Sequence, residues 1–449
     1  METIVQSVWS KTKVLFKALI IGAVILILQL PTWYVKDLVE EREQRQKEAT
    51  AEVSSKWARR QTITGPVLVL PFVDVRTDSF NKNPVKQFAY FLPDHLTIKS
   101  EVSPEEKYRG IYKVMVYSSK NSMAGSFSGV QPGKLKLAPE NILWNEAYVQ
   151  MNISDAKGLN DDIRIKWNNE VLTLTQDAVN AGPANETFAA PLNLSGVEDL
   201  RNVVFSVDVN LNGSEQLLFT PVGKSTTVNM SAKWPHPSFT GDILPVHSTI
   251  QSDGFNAKWK SVSQKRNFPQ QWRDNVYLIN YIQPHSSASY IRSNNLVASA
   301  FGADLYVPVN SYQKIMRSVK YAALCMLLTF AAFFIIETSS RKSVHPFQYG
   351  LIGAALVLFY TLLLSVSEYV GFNLSYVIAS VATIGLISWF VKGVLSSSRL
   401  SLILSAVLVL MYTYVFTILQ LQDYSLLLGS VGLFITLAVM MHFSKKISW

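Results

Sequence analysis

The sequence predicts a polytopic α-helical membrane protein: six transmembrane helices, with one large all-β domain, an antiparallel sandwich or barrel, between the first and second. Hydrophobic residues make up 49% of the 449 residues and charged residues only 16%, below the roughly 25% that is typical of soluble domains. Apolar runs of membrane-crossing length lie near the N-terminus and again after Val319. The stretch between them has ordinary polarity and repeated period-two alternation, which is typical of strands.

Six segments are long and apolar enough to form spanning helices, which need about 20 residues to cross the hydrocarbon core. They are residues 14–35, 319–336, 349–367, 374–391, 400–421 and 424–441. The first could be a cleaved signal peptide, because its start is basic and its centre apolar. However, no small-x-small cleavage pattern follows it, and Trp33 and Tyr34 suit an anchor at headgroup level. We therefore predict an uncleaved signal-anchor.

The charges of the loops predict the orientation. Basic residues cluster at the N-terminus, in two loops and in the C-terminal tail, namely Lys11, Lys13, Lys17, Arg341, Lys342, Lys392, Arg399, Lys445 and Lys446. The alternate loops, 367–373 and 420–423, have none. Since cytoplasmic loops are the basic ones, residues 1–13 and 442–449 should be cytoplasmic and residues 61–314 should lie outside. Basic residues beside lipid also account for much of the net charge of +9, so no nucleic-acid partner is expected.

The region between the first two spans begins with a predicted helix and continues as strands. Residues 36–60 are rich in helix formers and have no Pro or Gly, which predicts a solvated helical stalk, with a partner-binding helix as the alternative. Strands are predicted at 67–75, 87–91, 111–117, 147–153, 162–167, 202–210, 216–219 and 226–233. Asn212-Gly213 is typical of a tight hairpin turn. One β domain, or two subdomains with a boundary near 180–191, both fit.

Histidines are the first candidates for chemistry in the β domain. His95, His236, His247 and His285 could in principle bind zinc, but their spacing matches no short ligand motif. The single cysteine, Cys325, lies in an apolar run and is interpreted as a packing residue. Histidines with local hydrogen bonds are favoured, and no metal and no cofactor are predicted.

The segment Trp234-Pro-His-Pro-Ser-Phe239 is the candidate interaction site. Prolines on both sides of His236 force an extended, stiff backbone. The segment could present Trp234 and Phe239 to a partner or to lipid headgroups. Alternatively, it could close the β domain as a rigid crossover, and this second interpretation is favoured.

Catalytic motifs are missing from the sequence. It contains no G-x-S-x-G elbow, no P-loop and no G-x-G-x-x-G after a strand. Asp161 and Asp162 are adjacent, and adjacent residues of a strand point to opposite faces, so they are interpreted as a solvated strand edge. We predict no enzymatic activity and no catalytic residues.

The later spans contain no ionisable residue at mid-depth, where such residues would mark proton or ion paths. Four ionisable residues fall at span ends, where water should reach them: Glu337, Glu368, Asp423 and His442. Proton-coupled transport is therefore not expected. Two glycine pairs, 350 with 353 and 429 with 432, predict close helix packing.

Seven blocks of the sequence are distinctive in their residues and in their order. They are Gln61-Thr-Ile-Thr-Gly-Pro-Val-Leu-Val-Leu-Pro71, Arg109-Gly-Ile-Tyr-Lys-Val114, Trp234-Pro-His-Pro-Ser-Phe-Thr-Gly241, Tyr312-Gln-Lys314, His345-Pro-Phe-Gln-Tyr-Gly-Leu-Ile-Gly353, Leu363-Leu-Ser-Val-Ser-Glu-Tyr-Val-Gly371 and Asp423-Tyr-Ser-Leu-Leu-Leu-Gly-Ser-Val-Gly-Leu433. Together they resemble the CreD (Cet) family of bacterial inner-membrane proteins. The resemblance implies a Gram-negative inner-membrane location with the β domain in the periplasm. It also implies a role in cell-envelope integrity, tolerance to colicins on overproduction and a response linked to β-lactams, but no reaction.

Three functions follow as hypotheses. The leading one is a non-enzymatic envelope protein, embedded in membrane lipids, whose tethered β domain binds an envelope protein or cell-wall component. The second is a transporter or flippase of a lipid or peptide, with the β domain as its receptor. The third is an envelope hydrolase or transferase that uses His236 or His247.

Overall fold

The computed structural model describes residues 2–78, 81–176, 186–274, 276–277, 279, 295–305, 311–340, 344–421, 427–432, 434, 438 and 441. The chain divides into two compact units. The helical unit comprises Met1–Lys47 together with Val309–Trp449, and the β unit comprises Glu48–Pro308.

Apolar helices make up the described part of the helical unit. They are α1 (Glu2–Trp57, which continues into the β unit), α2 (Ser311–Lys320), α3 (Ala322–Ser340), α4 (Pro346–Val370), α5 (Phe372–Leu395) and α6 (Ser398–Gln420). By length and composition four of them, α1, α4, α5 and α6, could cross a membrane, and α2 with α3, bent by 46°, would make a fifth. Half of the sixth predicted span, 424–441, lies outside the described residues. The stalk predicted over 36–60 is helical to Trp57.

The block that begins at His345 starts helix α4. The His345 Nδ1 atom accepts the Phe347 N–H at 3.2 Å, and the Gln348 Oε1 atom accepts the His345 N–H at 3.1 Å. Pro346 occupies the first turn, where its missing N–H would have had no partner in the helix. This part of the block is therefore a complete helix cap.

Close helix packing is found at one member of each predicted glycine pair. A Cβ atom on Gly353 would lie 2.1 Å from the Leu28 Cδ1 atom, so α1 and α4 approach closely there. A Cβ atom on Gly350 would meet nothing within 4 Å. In the second pair, Gly432 lies against the Tyr414 ring, whereas Gly429 has more room.

The β unit consists of two eight-stranded sheets. Sheet A contains β1 (Gln61–Asp78), β2 (Asn81–Phe91), β5 (Tyr148–Ile153), β8 (Thr187–Pro191), β10 (Gln216–Phe219), β12 (Pro237–Gly241), β15 (Gln271–Arg273) and β16 (Phe301–Leu305). Sheet B contains β3 (His95–Arg109), β4 (Tyr112–Phe127), β6 (Ile163–Trp167), β7 (Glu170–Leu174), β9 (Val203–Ser214), β11 (Ser225–Ala232), β13 (His247–Gln251) and β14 (Gly254–Val262).

One hydrophobic core is shared by the two sheets. It includes the fully buried rings of Trp259, Phe72, Phe205 and Phe301. The Tyr117 hydroxyl, on sheet B, donates to the Gln216 carbonyl of sheet A at 2.6 Å. Burial raises the pKa of Tyr117 well above its usual value, so this hydroxyl keeps its proton and remains a donor. The two-sheet arrangement agrees with the predicted sandwich.

The structure corrects several details of the predicted β domain. The pairs β1–β10 and β3–β11 are parallel, so the sheets are not purely antiparallel. Asn212-Gly213 is not a turn, because both residues lie in β9. Gly213 is needed there for packing, since a Cβ atom would lie 2.3 Å from the Tyr117 hydroxyl. The chain instead leaves sheet B at Glu215, whose φ is +62°.

The segment considered as a subdomain boundary lies partly outside the described residues, at 177–185. Strand β8 begins directly after it and pairs with β5, which precedes it. Both sheets therefore combine strands from before and after this segment.

Candidate functional site

The predicted interaction segment forms an edge of sheet A. Pro237 is the first residue of β12, which is the last strand of the sheet and pairs with β16. Proline is tolerated at such an edge because its missing N–H leaves no ladder bond unmade. The Phe239 ring packs edge-on against Phe255 at 5.7 Å and Trp259 at 5.5 Å. This ring therefore anchors the edge strand to the core.

Trp234 is also used in packing. Its ring is partly buried against the core, and its Nε1–H donates to the His236 carbonyl at 3.1 Å. The His236 side chain is exposed. Of the three residues singled out in the sequence, His236 is thus the one that a partner could reach most easily.

From β12 the chain crosses to β13, an edge strand of sheet B. All five residues of β13 are exposed, although strands of a sandwich normally bury one face. Three apolar side chains beside or within it are exposed by half or more, namely Leu244 (67%), Val246 (57%) and Ile250 (52%). We call residues 242–251 the β13 margin. Within the described part of the chain, it combines an unpaired strand edge with exposed apolar side chains.

The histidines that were considered as zinc ligands are spread over the β unit. His95 is the first residue of β3 and His247 the first of β13, and both are exposed. His285 lies outside the described residues. Among the residues that the structure describes, no group of three or more His, Cys, Asp or Glu side chains could hold a metal ion.

The adjacent acids Asp161 and Asp162 precede β6 and are exposed. The Asp161 Oδ2 atom accepts from the Asn210 Nδ2 atom at 3.1 Å, and an Asp162 oxygen lies 4.0 Å from the Arg164 guanidinium. Each acid therefore has a separate local partner.

The Gln61 side chain, in the block that begins at this residue, holds the start of β1 in place by hydrogen bonds. The Gln61 side chain is completely buried. Its Nε2 atom donates to the carbonyls of Asp155 at 2.9 Å and Asn212 at 3.1 Å, and its Oε1 atom accepts from the Ser154 hydroxyl at 3.2 Å. This glutamine thus connects three separate chain segments, which is a structural role.

The helical unit contains a buried ion pair that the sequence did not reveal. Glu337 is 5% exposed and pairs with Lys17 of α1. The Tyr349 hydroxyl and the Val344 N–H both donate to the same carboxylate at 2.7 Å. Water was expected at this span end, and that expectation is wrong. A carboxylate can be enclosed here because a cation and two donors replace its hydration.

A second set of polar contacts includes Glu368, whose side chain is 10% exposed. Its Oε1 atom lies 3.9 Å from Arg42 and accepts from the Tyr312 hydroxyl at 3.2 Å. In the same unit, the buried Lys314 donates to the Gln420 Oε1 atom at 3.0 Å. Two of the seven distinctive sequence blocks, those that begin at Tyr312 and Leu363, are therefore in contact here. The other two predicted span-end residues, Asp423 and His442, lie outside the described residues.

Comparisons with known proteins bear on the whole chain. A family model described as inner membrane protein CreD matches residues 13–449. Inner membrane protein CreD of Escherichia coli (strain K12) is 29% identical over 432 residues, which are 95% of this chain and 92% of that protein.

Solved structures give much weaker matches. A mutant M1 zinc metallopeptidase from Deinococcus radiodurans, bound to a substrate peptide, matches with 9% identity over 38% of this chain and 39% of that chain, at a TM-score of 0.20. The same mutant described without substrate matches with 8% identity over 38% of each chain, at a TM-score of 0.19. We draw no conclusion from likenesses this weak.

Proposed function

The chain belongs to the CreD family of inner-membrane proteins, and we propose that it supports cell-envelope integrity by binding another envelope component through a periplasmic β unit. In this proposal six spans hold the chain in the Gram-negative inner membrane with both termini in the cytoplasm. The alternating basic and uncharged loops support this orientation. The family's association with colicin tolerance and the β-lactam response extends to this chain as part of the same proposal.

The β13 margin is the observation that carries the binding role. Its strand ends sheet B with an edge that no other described strand pairs with, and such edges receive extended segments of partner proteins through backbone hydrogen bonds. The exposed Leu244, Val246 and Ile250 side chains would then be covered by the partner. An envelope protein or a cell-wall component of extended shape fits this margin. The proposal assigns no reaction to the chain.

Cysteine labelling tests the location. The single native thiol is buried and is removed by Cys325→Ser. Ser122→Cys then places a thiol on the exposed side of sheet B, and Ser398→Cys places one in the predicted cytoplasmic loop. In cells with a permeabilised outer membrane, an impermeant maleimide should label the first variant and not the second. The reverse pattern would contradict the proposed orientation.

Photo-crosslinking tests the binding role. A photoreactive residue at Ile250 should capture an envelope component in cells, whereas the same residue at exposed Gln131, outside the margin, should not. A gene deletion should raise sensitivity to envelope stress, and a chain that keeps the spans but lacks the β unit should fail to restore resistance. Full restoration by the spans alone would sink the proposal.

A second candidate, transport or flipping of a lipid or peptide, is favoured by the enclosed Lys17–Glu337 pair. Glu337 lies at the end of a predicted span, and ionisable residues that are enclosed in membrane segments often mark paths for ions or substrates. Replacing the last four spans with unrelated spans of equal topology separates the two candidates. Preserved function would exclude transport, and lost function with a normally folded β unit would favour it.

A further inference from the structure

The solvent side of sheet B is a continuous polar surface. In its central strands alternate residues are buried and exposed, and the strand register aligns the exposed ones into rows. One row contains Lys258, Asn229, Lys99, Ser122, Asp208 and Arg164. The next contains Lys260, Thr227, Thr97, Ala124, Ser206 and Lys166, and a third contains Asn256, Ser231, Glu101, Lys120 and Asn210. We call these three rows the cationic face.

Positive charge dominates the cationic face. Its rows contain six cations, Lys99, Lys120, Arg164, Lys166, Lys258 and Lys260, against two carboxylates, Glu101 and Asp208. The five lysines form no ion pair with any residue that the structure describes. Asp208 already accepts from the Ser122 hydroxyl at 2.6 Å. The positive charge of the face is therefore not neutralised by ion pairs with the described residues.

Some cations elsewhere in the β unit are paired within the chain. Arg109 pairs with Glu52 at 3.0 Å, and Arg273 pairs with Asp74 at 3.0 Å. Hydrogen bonds from Lys56 and Arg109 lower the pKa of Glu52, which keeps that carboxylate ionised. The cationic face differs because five lysines without an ion pair among the described residues lie together on one surface, and this concentration of charge favours an anionic partner from outside the chain.

The spacing of the charges indicates an extended partner. Neighbouring strands lie about 4.8 Å apart, so the five steps from β14 to β6 spread the cations over roughly 24 Å. Residues two apart on one strand, such as Lys258 and Lys260, are separated by about 7 Å. A small anion would meet only one or two of these side chains. A chain molecule with repeated negative charges would meet most of them.

The side chains between the cations narrow the chemistry further. They are mainly hydroxyl and amide groups, including Thr97, Ser122, Thr227, Asn229 and Ser231, which both donate and accept hydrogen bonds. The three rows contain no aromatic residue on which bases could stack or which could insert into a lipid surface. Side chains of this kind can form hydrogen bonds with the hydroxyl groups of sugars.

We propose that the cationic face binds an extended anionic glycan, which it recognises by the repeated negative charges and by the hydroxyls of the sugars. This inference rests on the proposed role of the β unit as a binding module, and it names the chemistry of one partner. The glycan lies across the strands of sheet B, and β13 forms the border of the face.

Binding of a defined polymer tests the proposal. The full chain is placed in nanodiscs of zwitterionic lipid, and polygalacturonate serves as the carboxylated glycan with neutral dextran as its control. We expect polygalacturonate to bind, dextran not to bind, and the affinity to fall as salt screens the charges. Absence of polygalacturonate binding overturns the proposal.

Matched lysine variants locate the site. Lys258→Gln with Lys260→Gln removes two charges from the face and should weaken binding by about tenfold, because contacts between charges in water are individually modest. The control, Lys134→Gln with Lys136→Gln, removes two exposed and unpaired lysines outside sheet B and should change affinity by less than about twofold. If both double variants lose the same affinity for polygalacturonate, the assignment of the site to this face is overturned.

Two further probes separate other sources of anions. If polyglutamate binds as tightly as polygalacturonate, the partner is an acidic polypeptide and not a glycan. If vesicles rich in phosphatidylglycerol bind and polygalacturonate does not, the partner is a membrane surface. Either result overturns the glycan proposal. If polymer binding fails while crosslinking from Ile250 succeeds, the proposed function stands without this inference. If labelling at Ser122→Cys fails in cells while polygalacturonate still binds in nanodiscs, the proposed periplasmic location of the β unit is contradicted. The assignment of a glycan site to the cationic face then still stands.

Discussion

Charged side chains have different surroundings at the enclosed carboxylates of the helical unit and on the cationic face of the β unit. In the helical unit, Glu337 and Glu368 are almost enclosed, and each lies beside a cation, Lys17 or Arg42. On the cationic face of the β unit, five exposed lysines have no ionic partner among the described residues. Removing a charge from water costs several kcal/mol unless it is paired, whereas an exposed charge has no such cost. The enclosed carboxylates therefore depend on their cations for stability, whereas the exposed lysines need no partner within the chain and are free to bind a ligand.

The largest effect is expected from breaking the buried pair. Glu337→Ala leaves Lys17 without its carboxylate, and because Lys17 retains 22% side-chain exposure, we expect a loss near the lower end of the range for buried pairs, about 3 kcal/mol. Thermal unfolding of the detergent-solubilised chain would measure it. The control is Glu41→Ala, whose pair with Arg45 is exposed on both sides and should contribute less than about 1 kcal/mol.

Equal effects of Glu337→Ala and Glu41→Ala would break the comparison, because burial would then make no difference to the value of an ion pair. The double variant Lys17→Met with Glu337→Leu makes the comparison between buried and exposed ion pairs more precise. The double variant removes both charges and should recover part of the stability lost by either single change.

A smaller effect is expected at Arg266, a buried cation of the β unit that has no carboxylate partner among the described residues. Its guanidinium donates to the carbonyls of Pro221 at 3.0 Å and Val222 at 2.5 Å, and also to Gln270. Burial lowers the pKa of Arg266 to about 10, so it remains charged at neutral pH.

Arg266→Ala should therefore leave buried carbonyls unpaired and lower the stability of the β unit by about 2 kcal/mol. Urea unfolding followed by tryptophan fluorescence would measure this. Arg201→Ala is the matched control, because Arg201 forms an exposed pair with Glu198 at 2.8 Å. A loss no larger than that of the control would show that carbonyl groups do not need this cation.

The smallest effect is expected at Asp304, which tests a carboxylate at intermediate depth. Burial raises its pKa above the ordinary 3.8, against an opposing hydrogen bond from Gln216. Because the folded-state pKa is the higher one, the stabilisation from protonated Asp304 is complete below pH 3.8 and is lost as pH rises through the raised value.

Asp304→Asn should accordingly raise the unfolding temperature slightly at neutral pH, and the difference from the native chain should disappear in acid. Unfolding temperatures of both chains across a pH series would measure this. Asp162→Asn, at an exposed site, should show no such pH dependence. A variant that is less stable than the native chain at neutral pH would mean that the attraction of Arg60 outweighs burial.

Hydrophobic length predicted the helices well, because it is a property of each segment alone. Helices α4 and α5 begin at Pro346 and Phe372 and end at Val370 and Leu395, each within about four residues of the predicted bounds. The long strand β3 was not predicted, because its outward positions carry charges and Ser100 interrupts its apolar side. The local preference of Asn212-Gly213 for a turn was overruled by packing against Tyr117.

The candidate sites could be predicted only in part. Proline spacing pointed to the segment that became β12, but its partner strand β16 lies far along the chain. The cationic face draws its charges from β3, β4, β6 and β14, and only the register of the folded sheet makes them neighbours. The enclosure of Glu337 depends on Lys17, 320 residues away. Such long-range proximity has no local signal in a single sequence.

Strands β12 and β13, each at one edge of its sheet, differ in their protection against unwanted self-assembly. Strand β12 begins with Pro237, which cannot donate to a foreign strand, and it ends at Gly241 with a φ of +103°, outside ordinary strand geometry. Strand β13 has neither proline nor a formally charged residue, although such residues normally guard edges against aggregation. At high protein concentration, oligomers and fibrils should therefore start at β13, and a lysine at Thr249 would be the simplest way to keep the β unit soluble.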